Sequence, residues 1–146
     1  MQITIKALGK LDSTLQNLAL NYLKRLKLLK ININQNIIKN SKDEEKALEW
    51  LFSNLQNVYS IALSEQGAIF SSQEFSNFLF SLPNRGYSKV MFIVGGASGI
   101  SSNYLKKANF VLSFSKLTFP HELFRVLLLE QLYRAETIFL KHPYHK

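Results

Sequence analysis

The chain has 146 residues, 47% of them apolar and 19% charged, a globular composition whose length predicts one domain spanning 1–146. The absence of cysteine excludes disulfide scaffolds, zinc ribbons and thiol nucleophiles, and His142 and His145, with no acidic or thiol companion nearby, predict no metal site. No apolar run approaches the roughly 18 residues of a membrane helix, and the opening Met1–Lys6 alternates instead of forming a signal-peptide core, so a cytoplasmic protein away from membranes is expected.

Lys plus Arg number 18 against 10 Asp plus Glu, a net charge of +8. Residues 1–60 and residues 61–146 each hold 9 basic and 5 acidic side chains, so there is no basic tail of the kind that wraps nucleic acid. The surplus suits a polyanionic partner and would serve solubility equally well.

Gln2–Leu8 reads as a strand, with Ile3 and Ile5 on one face. From Asp12 the period turns helical through Leu15, Leu18, Ala19, Tyr22, Leu23 and Leu26, with Asp12 or Ser13 as N-cap. Alternation returns at Leu29, Ile31 and Ile33, and Asn34–Asn40 reads as a polar connection. Ser41-x-x-Glu44 and Ser71-x-x-Glu74 are capping boxes, each ahead of an apolar helical stripe. Val58–Leu63 reads as a strand between those helices, and Pro83–Gly86 as a turn. Lys89–Val94 is almost continuously apolar, as in a strand covered on both faces. Gly95–Gly99 follows as a loop, then a short helix near Ser102–Ala108, a strand at Phe110–Ser113 and a loop at Phe114–Phe119. A long helix closes the chain, reaching about Lys141, with Pro120 in its first turn and Thr118 as N-cap. Strand and helix alternate five times, which predicts an α/β domain on a largely parallel sheet. The last helix carries one apolar stripe and further apolar residues at Leu123, Val126, Leu129 and Tyr133. That width predicts a contact with a second subunit.

Three segments could carry chemistry. Glycines after a buried strand, at Gly95-Gly96-Ala97-Ser98-Gly99, let a ligand approach the backbone, or simply make a tight turn. They match neither G-x-G-x-x-G nor a P-loop, and Ser98 is not in a G-x-S-x-G elbow. The Phe114–Phe119 loop mixes hydroxyls, a lysine and apolar side chains, which suits a flat aromatic ring, or an ordinary connection. The end, His142-Pro143-Tyr144-His145-Lys146, offers stacking and phosphate contacts to RNA, or is a frayed tail. Arg125 and Arg134 lie about 180° apart around one helix and do not face one site together.

Taken together, Ile93-Val94-Gly95-Gly96-x-x-Gly99, Leu112–His121, Arg125-Val126, Glu130–Ala135 and Pro143–Lys146 closely resemble the ribosomal large subunit methyltransferase H family, and Ile5–Lys10 resembles its first strand. The likeness implies a SPOUT-type parallel-sheet domain with a C-terminal trefoil knot, S-adenosyl-L-methionine as cofactor, and a pseudouridine of 23S rRNA on the ribosome as the substrate, methylated at N3. It also implies a homodimer with its sites at the subunit boundary. Carried over by position, cofactor contacts fall on Leu63, Gly95, Phe114, Ser115, Lys116, Leu117, Thr118 and Phe119. RNA contacts fall on Tyr144, His145 and Lys146, with Arg125 as a further RNA or active-site candidate. Ser64 stands where family members usually carry an acidic residue, Ala97-Ser98 replaces the usual pair in the glycine loop, and Asn34–Asn40 is shorter than usual.

The implied reaction needs the N3 proton to leave, and His121 and His145 are the titratable candidates, with no catalytic base assigned between them. A ribosome-associated RNA-binding module without catalysis, and a flavodoxin-like small-molecule enzyme, are the rival readings.

Overall fold

The computed structural model describes residues 1–36 and 44–146. Its five strands are β1 (Gln2–Leu8), β2 (Lys30–Asn36), β3 (Tyr59–Ile69), β4 (Lys89–Val94) and β5 (Phe110–Ser113). The helices are α1 (Ser13–Arg25), α2 (Glu44–Leu51), α3 (Ser72–Ser81), α4 (Ser102–Leu105) and α5 (His121–Phe139). All strand pairs are parallel, in the order β2-β1-β4-β3-β5. Every strand therefore ends at the same edge of the sheet, which is where the loops with chemical potential leave it.

The sheet is covered on both faces. Ile3, Ile5, Ile61, Val90, Phe92 and Leu112 pack toward α1, α3 and α5, while Leu8, Ala62, Met91 and Ile93 pack toward α2 and α4. The continuous apolar run of β4 reflects this two-sided burial, since Val90 through Val94 are all buried.

Local signals fix most boundaries. The Asp12 carboxylate accepts from the Leu15 N–H at 2.8 Å and starts α1. Ser71 and Glu74 form the expected capping box on α3, and the bonds from Ser71 hold the Glu74 carboxyl below its usual range. The Ser41 capping box lies outside the described residues, as does most of the Asn34–Asn40 connection, although β2 itself continues to Asn36. Pro83–Arg85 is a single 3-10 turn closed by Gly86 at φ 90°.

Three boundaries differ from expectation. β3 does not stop at Leu63: it breaks register there, and Leu112 of β5 faces both Leu63 and Ala68 across a bulge. The polar run Ser64–Gln66 concealed this continuation, because it interrupts the apolar pattern. Thr118 does not cap α5; Pro120 takes that position without a side-chain cap, and the Thr118 hydroxyl donates instead to Glu65 at 3.2 Å. α5 ends at Phe139, and Lys141 turns away at φ 54°.

The breadth of apolar surface on α5 has in part an internal cause. The helix lies between α1 and α3, and Val126, Leu128, Leu129, Leu132 and Ala135 are all buried within the chain. Of the four residues that widen the stripe, Val126 and Leu129 are buried within the chain, while Leu123 and Tyr133 stay half-buried. Among the described residues no helix is long and apolar enough to cross a membrane.

Candidate active site

Three loops meet where the strands end. They are the bulge after Leu63, the glycine loop after β4 and the loop after β5, and the first turn of α5 closes the fourth side. Between them lies a cleft of about 680 Å³.

Glycine is needed at two places, one in the β3 bulge and one in the cleft wall. A Cβ on Gly67 would stand 2.6 Å from the Leu112 carbonyl carbon, so the bulge can lie against β5 only with glycine there. A Cβ on Gly95 would stand 2.8 Å from the Ile100 side chain, because the glycine loop folds back through a Gly96–Gly99 bridge. At Gly95 backbone, not side chain, thus lines the cleft.

The opposite wall is aromatic. Phe114 stacks on Phe124 at 4.9 Å and meets Phe75 edge-on at 6.3 Å, and Phe119 leans on Phe124 at 6.3 Å. The loop carrying them is stiffened from within. The Ser113 hydroxyl donates to the Ser115 carbonyl at 2.9 Å, and the Ser115 hydroxyl accepts from the Leu117 N–H at 2.9 Å. The Leu117 amide is therefore already engaged, and a ring edge seeking donors here would turn to its neighbours.

Of the residues named for cofactor contact, Leu63, Gly95, Phe114, Ser115, Leu117, Thr118 and Phe119 line this cleft. Lys116 does not line it and is exposed. Leu117 is 72% exposed at the loop tip. Ser64 lines the cleft, and its hydroxyl accepts from the Gln66 N–H at 3.3 Å, which closes the turn of the bulge.

Glu65 was not anticipated. It lines the cleft, is exposed, and takes the Thr118 hydroxyl, tying the β3 and β5 loops together. A single carboxylate after a buried strand gives no pattern, so only the bulge reveals its position.

His121 lines the cleft from the start of α5, with its Nε2 3.5 Å from where a Gly9 Cβ would be. One turn later, Arg125 donates through Nη1 to the Gly9 carbonyl at 3.2 Å. Arg125 is only 3% exposed, and its Nε and Nη2 have no partner among the described residues. Burial pulls its pKa below the usual arginine range, partly offset by Glu122. Arg125, buried, braces the turn behind His121.

The C-terminal residues lie elsewhere. The Glu130 carboxylate accepts from Arg134 Nε at 3.0 Å and from the Tyr144 hydroxyl at 3.1 Å, and is ion-paired with Arg134. Arg134 lies over the Tyr144 ring at 4.9 Å and donates to His145 Nδ1 at 3.1 Å. Arginine can only donate, so Nδ1 is the acceptor. Burial and the Glu130 charge push the Tyr144 phenol up to about 12. From His121 to Arg134 is 13 residues of helix, about 20 Å at 1.5 Å per residue. The structure thus groups the cofactor candidates with His121 and holds Tyr144 and His145 apart from them.

The chain matches a family model described as "Predicted SPOUT methyltransferase" over residues 1–145. It belongs to the SPOUT methyltransferase family. Proteins named ribosomal RNA large subunit methyltransferase H are similar over the full length of both chains: 43% identical over 159 residues in Clostridium acetobutylicum, 41% over 163 in Clostridium kluyveri and 40% over 159 in Clostridium tetani. Among solved structures, a methylase family protein from Haemophilus influenzae superposes with a TM-score of 0.58 at 12% identity, covering 99% of this chain and 70% of that one. A methylase family protein from Neisseria gonorrhoeae gives 0.54 at 13%, covering 90% and 81%. These two likenesses concern the fold. This SPOUT methyltransferase is an enzyme, and the rival reading of a module without catalysis falls away.

Proposed function

We propose that this enzyme transfers the methyl group of S-adenosyl-L-methionine to N3 of a pseudouridine in 23S rRNA, as a homodimer in the cytoplasm. The carrying observation is the convergence of the three loops on one cleft. The naming of full-length relatives at about 40% identity as rRNA large subunit methyltransferases supports the substrate class.

The cleft fits the cofactor by its chemistry. Phe114 and Phe119 supply apolar walls for an aromatic ring, Gly95 allows a close backbone approach, and Glu65 offers a carboxylate to a ribose diol. When bound, the sulfonium of S-adenosylmethionine supplies an activated methyl group. The chain's own work is to place the acceptor nitrogen in line and to stabilise the charge left when its proton departs. His121 lines the cleft, which favours it over His145 as the group that meets that proton. The buried Arg125 cation fixes the Gly9 turn behind it.

Tyr144, His145 and Lys146 are assigned to RNA. They lie one long stretch of α5 from the cleft of their own chain, which favours a two-chain arrangement in which one protomer's tail serves its partner's cleft. The trefoil knot belongs to this proposal as well. The close seating of Gly67 on the β5 backbone, and the meeting of the β3 bulge with the loops after β4 and β5, are in keeping with such threading.

Calorimetric titration with S-adenosylmethionine tests the cofactor directly. One site per chain with micromolar-range affinity is expected. A folded protein that gives no heat with the cofactor contradicts the reading.

A further inference from the structure

The charge that the sequence spreads evenly along the chain is gathered in space. Because the sheet is parallel, every helix-to-strand connection lies at the edge where strands begin, opposite the cleft. Lys24, Arg25 and Lys27 end α1 or follow it, Arg85 follows α3, and Lys106 and Lys107 follow α4. Lys141 follows α5, which runs to the same edge, as its Glu136 shows by accepting the Lys27 and Leu29 N–H groups. Lys30 and Lys89 begin β2 and β4, and both pair in register with Gln2 of β1. The two lysines thus flank one residue in a single row, about 10 Å apart at the usual strand spacing.

All nine of these cations are exposed; Glu136 at this edge is buried, and near Lys107 the carboxylates of Glu45 and Glu49 act on Tyr104, whose ring Lys107 covers at 4.3 Å. The nine are half of the 18 basic side chains of the chain. The helix dipole favours cations in the last turn of α1, but it gives no reason for Lys30 and Lys89 at strand starts. Nor are these charges neutralised, since the ion pair found among the described residues is Arg134–Glu130. Clustered like charges repel one another unless a polyanion covers them.

We propose that this edge is a second RNA-docking surface, which binds phosphates of the substrate RNA at a distance from the methylated nucleotide. The inference rests on the rRNA-substrate reading above. Seven residues of β1, at about 3.3 Å each, separate the edge from the cleft by roughly 20 Å. Only a large folded RNA reaches both, and a short hairpin carrying the target nucleotide reaches only the cleft.

The test compares Lys30→Gln/Lys89→Gln with Lys46→Glu, an exposed position on α2 that changes net charge by the same two units. Binding to protein-free 23S rRNA is measured at about 0.1 M salt and across a salt series. The edge pair is expected to bind at least about tenfold more weakly, with its log–log salt slope shallower by about 1.4–1.8. Lys46→Glu is expected within about twofold of the wild type, and all three proteins should bind the short hairpin and S-adenosylmethionine alike and share one thermal midpoint. Equal weakening by both variants would show a general effect of net charge and overturn the proposal. A loss seen on whole ribosomes but absent on bare RNA would assign the edge to an acidic protein and overturn it as well. If the wild type binds rRNA but methylates none, the function reading fails while the comparison of edge variants still decides this one.

Discussion

At the residue scale the site depends on a few side chains with distinct tasks. Glu65 tethers Thr118 and offers the carboxylate that Ser64 does not supply, so Glu65→Gln is expected to weaken cofactor binding about tenfold by calorimetry. Ser64→Ala, which removes only a turn bond, should change it less than threefold. Phe114→Ala strips the ring that Phe124 stacks on and should abolish measurable binding while costing about 3 kcal/mol of stability by urea unfolding. The tail has its own titration. The Tyr144 phenol is raised to about 12, so the folded state holds its proton more tightly than the unfolded chain does. Its contribution is complete below pH about 10 and is lost as pH rises toward 12. Tyrosinate absorbance should accordingly show two phenols titrating late in the wild type, Tyr144 and Tyr104, whose hydroxyl donates to Glu45; in Glu130→Gln the Tyr144 phenol should titrate earlier while Tyr104 stays late. Little of this was legible in sequence. The aromatic loop was, because its composition is unusual. Glu65 was not, because its meaning depends on a bulge, and Arg125 was legible only as an RNA or active-site candidate, because one arginine on a helix carries no sign of burial.

At the element scale, most of the fold was written in local rules. The α1 cap, the α3 capping box, the two-sided run of β4 and the last strand all formed where their residues predict. What failed was whatever long-range packing decides. The second half of β3 exists because β5 lies against it, and no pattern within Ser64–Ile69 announces that. Gly67 makes this dependence testable. Gly67→Ala puts a methyl group 2.6 Å from backbone that cannot retreat, and should cost about 3 kcal/mol with loss of cofactor binding. An unchanged thermal midpoint would show that the strands are not so closely seated. The breadth of α5 is the converse case. Its apolar girth seemed excessive for one sheet face, and α1 and α3 bury part of it, Val126 and Leu129, but leave Leu123 and Tyr133 half-buried.

At the scale of the whole molecule, topology turns scattered residues into two functional ends. Parallel strands collect the glycine and aromatic loops at one edge and nine exposed cations at the other. The family was legible from five short motifs in order, each modest alone, while the charge polarity was invisible because it is a property of strand direction rather than of position along the chain. The tail, latched about 20 Å along α5 from its own cleft, predicts that activity depends on pairing of protomers. A mixture of one variant lacking Tyr144–Lys146 with another carrying Phe114→Ala should recover methylation that neither has alone.

The most direct test of the central claim is methyl transfer itself. The protein is incubated with S-adenosylmethionine labelled in its methyl group and with ribosomes lacking the modification, and the label is mapped on the RNA. The account predicts about one methyl per particle, at N3 of a single 23S rRNA pseudouridine. Label on another nucleotide, or none at all from a folded protein that binds the cofactor, would contradict it.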